Sequence, residues 1–362
     1  MLRGSVGSAF TAVSAEIRQH GIPVLKTSYG TLDPQGKTNP LMSPVQIDTL
    51  FDLASLTKLF TTMAFFRLVD SRKVTLNTPV GAILPAFQGA RPIRPYPNPL
   101  NIGELVSVVP PTDAAFDAGT VTFEHLLTHS SGLPAWLNLR DRATEAERLA
   151  LCLTTPFAYP TGSQVLYSDI GYILLGKAIE QLTGQLLDLA LPALVLRPLG
   201  LATRYGPIRT NVAPTEFDPW RGRRLVGEVH DENAATLRGV AGHAGLFGTC
   251  TDVAALGQLY LEHGAGFISQ ALAEAATRPH IADRGLGWMM RTPEGSSSGR
   301  YFSPNSYGHT GFVGTSLWVD PQRELVCALL TNNVFFGRHK EAIVAFRRAF
   351  HDTVIEALEG TP

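Results

Sequence analysis

Phe51-Asp-Leu-Ala-Ser55-Leu-Thr-Lys58-Leu-Phe-Thr-Thr-Met-Ala64 is the stretch on which the reading of this chain turns. It sets a hydroxyl and an amine three residues apart where a helix begins, so both side chains project from one helical face. Leu59, Phe60, Met63, Phe66 and Leu68 recur at largely helical spacing, and Ser55 lies near the N-terminal end, where the helix dipole favours negative charge. A serine hydroxyl is a poor nucleophile at neutral pH, but an amine without its extra proton can accept the hydroxyl proton as the oxygen attacks a carbonyl. The pair reads as a candidate acylation device. The competing reading is an ordinary buried helix with a solvated Ser and Lys, since so short a motif also arises by chance.

Two further signals lie downstream. Tyr159-Pro-Thr-Gly-Ser-Gln-Val-Leu-Tyr-Ser-Asp169-Ile-Gly-Tyr172 passes from turn residues into Tyr167-Ser168-Asp169 and then an amphipathic helix through about Leu182. A tyrosine beside a cationic lysine can be held as phenolate or shuttle a proton, so Tyr167 supplies a base; the alternative is a tyrosine packed at a helix entrance. His309-Thr310-Gly311 precedes Phe-Val-Gly-Thr-Ser-Leu-Trp-Val-Asp-Pro321, a short strand pattern whose glycines let a substrate approach the backbone. Such an edge can direct a backbone N–H at a developing oxyanion.

Ser-x-x-Lys, Tyr-x-Asp and His-Thr-Gly, in this order, resemble the motifs of the penicillin-recognising serine hydrolases. The subgroup resembled contains class C β-lactamases, serine-type D-alanyl-D-alanine carboxypeptidases and related esterases. The likeness extends to Val121-Thr-Phe-Glu-His-Leu-Leu-Thr-His-Ser-Ser-Gly-Leu-Pro134, Arg197-Pro-Leu-Gly-Leu201 and Gly239-Val-Ala-Gly-His-Ala-Gly-Leu-Phe-Gly-Thr249, nearly the whole chain. It implies Ser55 as the acylated nucleophile, Lys58 as its proton partner, and Tyr167 as the base that also protonates the leaving group. His309 stands where many relatives carry Lys. The resemblance implies an oxyanion hole from the backbone N–H groups of Ser55 and Phe312, with Asp169, His309, Thr310, Gly311 and Phe312 on the substrate-binding side. It implies no metal or organic cofactor.

Asp169 departs from the class C pattern, which has Asn there. An ionised Asp only accepts hydrogen bonds. Asp169 is expected either to pair with Lys58 and raise its pKa or to favour substrates offering an N–H or a cation, placing esters and peptides ahead of penicillins. Its alternative role is to cap the following helix.

The chain has 362 residues, 44% of them hydrophobic and 17% charged, enough for a substantial core in one large or two medium domains. A formal net charge of −1, with no basic run interleaved with aromatics, disfavours nucleic-acid binding. Cys152, Cys250 and Cys327 are widely separated and suggest neither a disulfide framework nor a metal knuckle. The N-terminus lacks an uninterrupted apolar run, and Leu186 to Leu201 contains Asp188, Pro192 and Arg197, so no membrane span is expected. As written the chain reads as cytoplasmic; because many relatives carry a leader, a trimmed leader would make it periplasmic or secreted. Its oligomeric state is open.

Phe10, Val13 and Ile17 have helical spacing with Gly21 placed to end a helix, and Ile22 to Tyr29 reads as a strand. From Leu56 to about Leu201 the pattern is mostly helical, strands return from Gly285, and Lys340 to Leu358 forms a final helix packed on the sheet. The expected fold is α+β: an antiparallel sheet domain from residues 1–55 and 205–362, a mainly helical domain at 56–204, and the active site at their interface. Proline-rich Gln88 to Thr120 is expected to be an ordered surface loop or lid. Asp218 to Arg238, with Trp220, Arg221, Arg223, Arg224 and His230, either overhangs the groove and biases it toward anions or is a solvated loop.

Other features are set aside. Gly295-Ser-Ser-Ser-Gly299 matches G-x-S-x-G but follows no apolar strand, so it reads as a turn, and an α/β-hydrolase ranks last. His125 and His129 have zinc-like spacing without a third ligand and read as helix-packing histidines, and His243 is taken as structural. The chain is therefore expected to be a serine hydrolase acting through an acyl-enzyme on a small ester, D-amino-acid peptide or β-lactam. The alternative is a penicillin-binding or other ligand-binding regulatory protein of the same fold that does not turn over.

Overall fold

The computed structural model describes residues 1–32, 44–101, 103–109 and 115–360. Part of the proline-rich segment expected to be an ordered surface loop or lid, at 102 and 110–114, lies outside them. The first element departs from expectation: Ala12–Gln19 is a strand (β1), not a helix. Val13, Ala15 and Ile17 alternate with Ser14, Glu16 and Arg18, a period of two that the three helically spaced apolar positions concealed. β1 turns back through His20 and Gly21, both in the left-handed region at φ 50° and 75°, the geometry of a tight hairpin turn. Ile22–Gly30 (β2) then pairs antiparallel with β1.

The other four strands of this sheet come from the far end of the chain: Met289–Met290 (β3), Tyr307–Thr310 (β4), Ser316–Asp320 (β5) and Leu325–Thr331 (β6). The order is β3-β4-β5-β6-β1-β2, antiparallel throughout. β6 alternates its apolar residues between two layers. Val326, Ala328 and Leu330 join a core with Val253, Ala254 and Leu256 of the helix Cys250–Leu261, whereas Leu325, Cys327 and Leu329 join Phe346, Phe350 and Val354 of Glu341–Glu359. A strand covered on both faces reads as a continuous apolar run, as Leu325–Leu330 does.

Between the two ends lie the helices Thr57–Asp70 (α1), Glu145–Thr154 (α2) and Asp169–Thr183 (α3) with shorter turns. The expected helical stretch is broken by two-residue ladders, Ala90–Arg91 with Phe116–Asp117 and Tyr96–Pro97 with Leu105–Val106, where proline prevents helix. α1 and α3 share one core: Phe60, Met63, Ala64, Ile170, Leu174 and Leu175 belong to the same apolar cluster as the inner sheet face. This shared core fixes the two helix N-termini relative to each other. The fold is α+β, a sheet assembled from both chain ends with helices inserted. Among the described residues no single helix is long and apolar enough to cross a membrane; only α3 with Leu187–Leu196, bent by 76°, reaches that length together. All three cysteines are free and buried, as small core residues.

Candidate functional site

α1 is reached through a constrained turn. Asp52, buried at the end of the strand Phe51–Asp52, accepts the Ala54 N–H at 2.8 Å and the His230 N–H at 2.7 Å. That anchor holds Ala54 at φ 47°, a left-handed conformation uncommon for a residue with a Cβ. The following 3-10 turn, Ala54–Leu56, leaves Ser55 at the mouth of α1, where the first N–H groups have no intrahelical acceptor.

One turn further in, Lys58 is 0% exposed and uses all its donors: to Ser55 Oγ at 3.0 Å, Asp169 Oδ1 at 2.7 Å and the His243 carbonyl at 3.2 Å. Burial alone opposes the ammonium charge, but the Asp169 carboxylate and Tyr167 outweigh it and hold the Lys58 pKa above its ordinary value. Of the roles weighed for Asp169, the pairing with Lys58 is present. The helix cap is instead its neighbour: the Ser168 hydroxyl accepts the Gly171 N–H at 3.3 Å.

Tyr167 lies with its ring centroid 4.8 Å from Lys58 Nζ. Burial pushes the phenol pKa up, partly offset by the Lys58 charge, so at neutral pH it keeps its proton. The segment that carries it is clamped by His129. The His129 ring lies 4.5 Å from that of Tyr167, its Nδ1 accepts the Ser168 N–H at 3.1 Å, and its carbonyl accepts the Leu166 N–H and the Tyr159 hydroxyl. His129 does pack against a helix as expected, its ring 5.3 Å from that of Tyr172 in α3, and it also supports the segment that carries Tyr167. His125 does serve its helix, with Nδ1 accepting the Thr122 N–H at 3.1 Å as a cap.

His309 is buried in β4 with Nδ1 2.9 Å from the Thr310 carbonyl, while Nε2 has no partner among the described residues. Burial, together with the Lys58 and Arg284 charges, lowers its pKa to about 3, so the imidazole is neutral and does not replace the positive charge that a lysine supplies there. Gly311 turns the chain tightly against the entrance of α1. A Cβ at that position would lie 2.0 Å from Thr315 Oγ1 and 2.7 Å from the Leu53 carbonyl. The turn is pinned by Gly311 N–H to the Thr315 carbonyl at 2.7 Å, and Arg347 donates to both the Gly311 and Thr315 carbonyls at 2.7 Å. The Phe312 N–H has no backbone acceptor among the described residues.

These elements frame a cavity of about 490 Å³. Ser55, Tyr167, Asp169 and Phe312 line it; Lys58 lies beneath, and His309, Thr310 and Gly311 stand behind Phe312 without lining it. Sequence reasoning missed Asp231 here and took His243 as structural. His243 Nε2 lies 2.8 Å from Asp231 Oδ1, and the His243 carbonyl is one of the Lys58 acceptors. Burial works against ionisation of Asp231, but the His243 ring and the Ala234 N–H reverse it and hold the carboxyl below its usual range. The signal was the glycine-rich Gly239–Gly248 segment, which brings backbone close to α1. Ligand atoms of Asp169, Asp231 and His243 lie within 4.8 Å of one another and could hold a metal ion, though the Lys58 ammonium already supplies positive charge to Asp169.

The arginines expected to bias the groove are used internally. Arg221 binds Asp218 and the Val229 and His230 carbonyls, Arg223 pairs with Glu228, and Arg224 donates to the Thr215 and Phe335 carbonyls. The cations facing the cavity are Arg140, Arg338 and Lys340.

A family model described as Beta-lactamase matches residues 5–349. An N-acetylmuramyl-L-alanine amidase of Bacillus subtilis is 32% identical, the match covering 92% of this chain and 79% of that protein. A putative D-alanyl-D-alanine carboxypeptidase of Escherichia coli K12 is 31% identical over 78% of this chain and 69% of its own. Among solved structures, EstCE1, a hydrolase with promiscuous acyltransferase activity, shares the fold at a TM-score of 0.71 and 21% identity, with 95% of each chain covered.

Proposed function

The chain belongs to the β-lactamase family, and from that membership we propose that it is a serine hydrolase working through an acyl-enzyme on small esters or D-amino-acid peptides. The observation that carries this reading is the contact of Lys58 Nζ with Ser55 Oγ at 3.0 Å beside the Tyr167 ring, on the floor of the cavity.

Because burial keeps the phenol protonated and Asp169 keeps Lys58 charged, neither group is a free base at rest. A relay resolves this. Ser55 Oγ forms a bond to the substrate carbonyl carbon, its proton passes to the Tyr167 oxygen, and Tyr167 gives its own proton to the departing oxygen or nitrogen as that bond breaks. The phenol is unchanged overall. The Ser55 and Phe312 N–H groups, with no backbone acceptor competing at Phe312, receive the oxyanion. Lys58 stays protonated, orienting Oγ and supporting negative charge on both oxygens. Water then attacks the acyl carbon and the relay runs in reverse, returning a proton to Ser55 Oγ.

Esters and peptides rank ahead of β-lactams because Asp169 only accepts hydrogen bonds, and its Oδ1 is already engaged by Lys58. The relatives named carboxypeptidase and amidase support an acyl substrate of peptide type. Mass spectrometry after mixing with an aryl ester tests the reading. A transient adduct on Ser55 with steady product release is expected, and Ser55→Ala should give neither. A lasting adduct without release would replace the hydrolase by a non-hydrolytic binder, and turnover surviving in Ser55→Ala would discard the mechanism.

A further inference from the structure

The cavity over Ser55 does not end at its rim. A second cavity, of about 730 Å³, adjoins it, and both share Pro99, Leu100, Arg140, Phe312, Arg338 and Lys340 along their common border. Charge is sorted along this groove. Its inner end carries Asp169 and Asp231 beside Ser55, its border carries three cations with Glu232, and its outer end carries Glu341 with Glu216 and Asp218, the last two already paired with Arg338 and Arg221.

The three cations differ in how they are satisfied. Arg338 is committed to Glu216 and, at 2.6 Å, to Glu232. Arg140 and Lys340 have no carboxylate partner among the described residues. Arg140 donates only to Asn138 Oδ1 at 3.3 Å and lies 5.4 Å from the Trp220 ring centroid; Lys340 Nζ lies 4.2 Å from the Phe312 ring centroid. Partial burial and the nearby Arg347 and Arg338 charges lower the Lys340 pKa, the mark of positive charge held without a counter-ion. An aromatic face beneath each cation holds it in place without neutralising it.

We propose that Arg140 and Lys340 form an anion subsite at the outer border of the groove, which selects substrates carrying a carboxylate at a distance from the scissile carbonyl. The proposal rests on the serine-hydrolase reading for its chemistry but not for its binding. A carboxylate held close to the scissile bond stays out of reach of the two cations, whereas one on a longer arm reaches them and gains charge-assisted hydrogen bonds.

The test uses aryl hemiesters of dicarboxylic acids, with the methyl-capped neutral diester of each length as its control. On the full chain at low salt, kcat/KM for the longer hemiester should exceed that of its neutral control by about tenfold, and the advantage should shrink in the shorter hemiester and at high salt. In Arg140→Gln/Lys340→Gln the ratio of anionic to neutral ester should fall at least about fivefold. Equal loss on both esters would mean a merely structural role and overturn the proposal. Calorimetric binding of the same esters to Ser55→Ala separates the two readings. Preference for the hemiester in binding, lost on adding the two substitutions, upholds the subsite even if no turnover is seen. Turnover by the unsubstituted protein with no such preference removes the subsite and leaves the hydrolase.

Discussion

The floor and the mouth of the groove solve the problem of placing charge in opposite ways. On the floor, the buried Lys58 ammonium is tied to a carboxylate, a hydroxyl and a backbone carbonyl, and no donor is left over. At the mouth, cations rest on aromatic rings, and Trp220 and Phe217 are about half exposed, at 48% and 55%. A group enclosed in protein must find its partners within the fold, because leaving one unmade costs the full desolvation of the group. A group at the surface can wait for a ligand. On the proposed reading, the floor carries out the bond-making and the mouth chooses the molecule.

The sharpest way to break this contrast is Ser55→Ala, expected to lower ester turnover by at least about a thousandfold and to cost about 1–3 kcal/mol of stability, because the buried Lys58 ammonium loses an acceptor. Retained turnover would move the chemistry away from the floor. Next is Asp169→Asn, which leaves Lys58 buried without its counter-charge. A loss of about 3–5 kcal/mol in urea unfolding is expected. In whatever folds, the Lys58 pKa falls, since the group that raises it is gone, and the basic limb of the rate profile should move to lower pH. Comparing an ester with a cephalosporin in the same variant tests the substrate ranking; an unchanged preference would separate Asp169 from specificity.

Floor and mouth should also fail at different acidities. The His309 pKa in the fold is about 3 against an ordinary 6.5, so below 6.5 the unfolded chain binds a proton that the folded one refuses. Stability from this group is complete above pH 6.5 and is lost as pH falls toward 3, by at most about 1.4 kcal/mol per pH unit. At the mouth Glu216 is buried, which disfavours its charge, but His230 and Arg338 overcome that and bring its pKa to about 2. Its contribution is present above pH 4.5 and lost only as pH falls from there toward 2. Melting temperature between pH 7 and 5 should therefore decline less steeply in His309→Gln than in the unsubstituted chain, whereas Glu216→Gln should leave that slope alone. The smallest effect is expected from Trp220→Ala, within about 0.5 kcal/mol in stability.

The same contrast explains what could be read from sequence. Ser55 and Lys58 are one helical turn apart, and Tyr167 and Asp169 flank a single helix start, so short patterns report them. His129 was legible only as a histidine near a helix, because its role depends on a left-handed backbone at φ 56° that turns the ring onto Tyr167. Asp231 acts through His243, twelve positions further along, with no pattern linking them. The mouth draws on 99–100, 140, 217–220 and 338–340, segments joined only by the fold. β1 was misread for a related reason: Phe10, Val13 and Ile17 fit a helix, and only pairing with β6 on its other side makes the strand necessary.

That pairing sets the order of events during synthesis. β1 leaves the ribosome long before its neighbour β6, with Val13 opposite Thr331. Until then the hairpin waits with one edge open, and closing so long a loop is slow. The Phe312 N–H comes equally late. Ser55 can sit at its helix end in a nascent chain, but the cavity over it forms only after Phe312, Arg338 and Lys340 have been made.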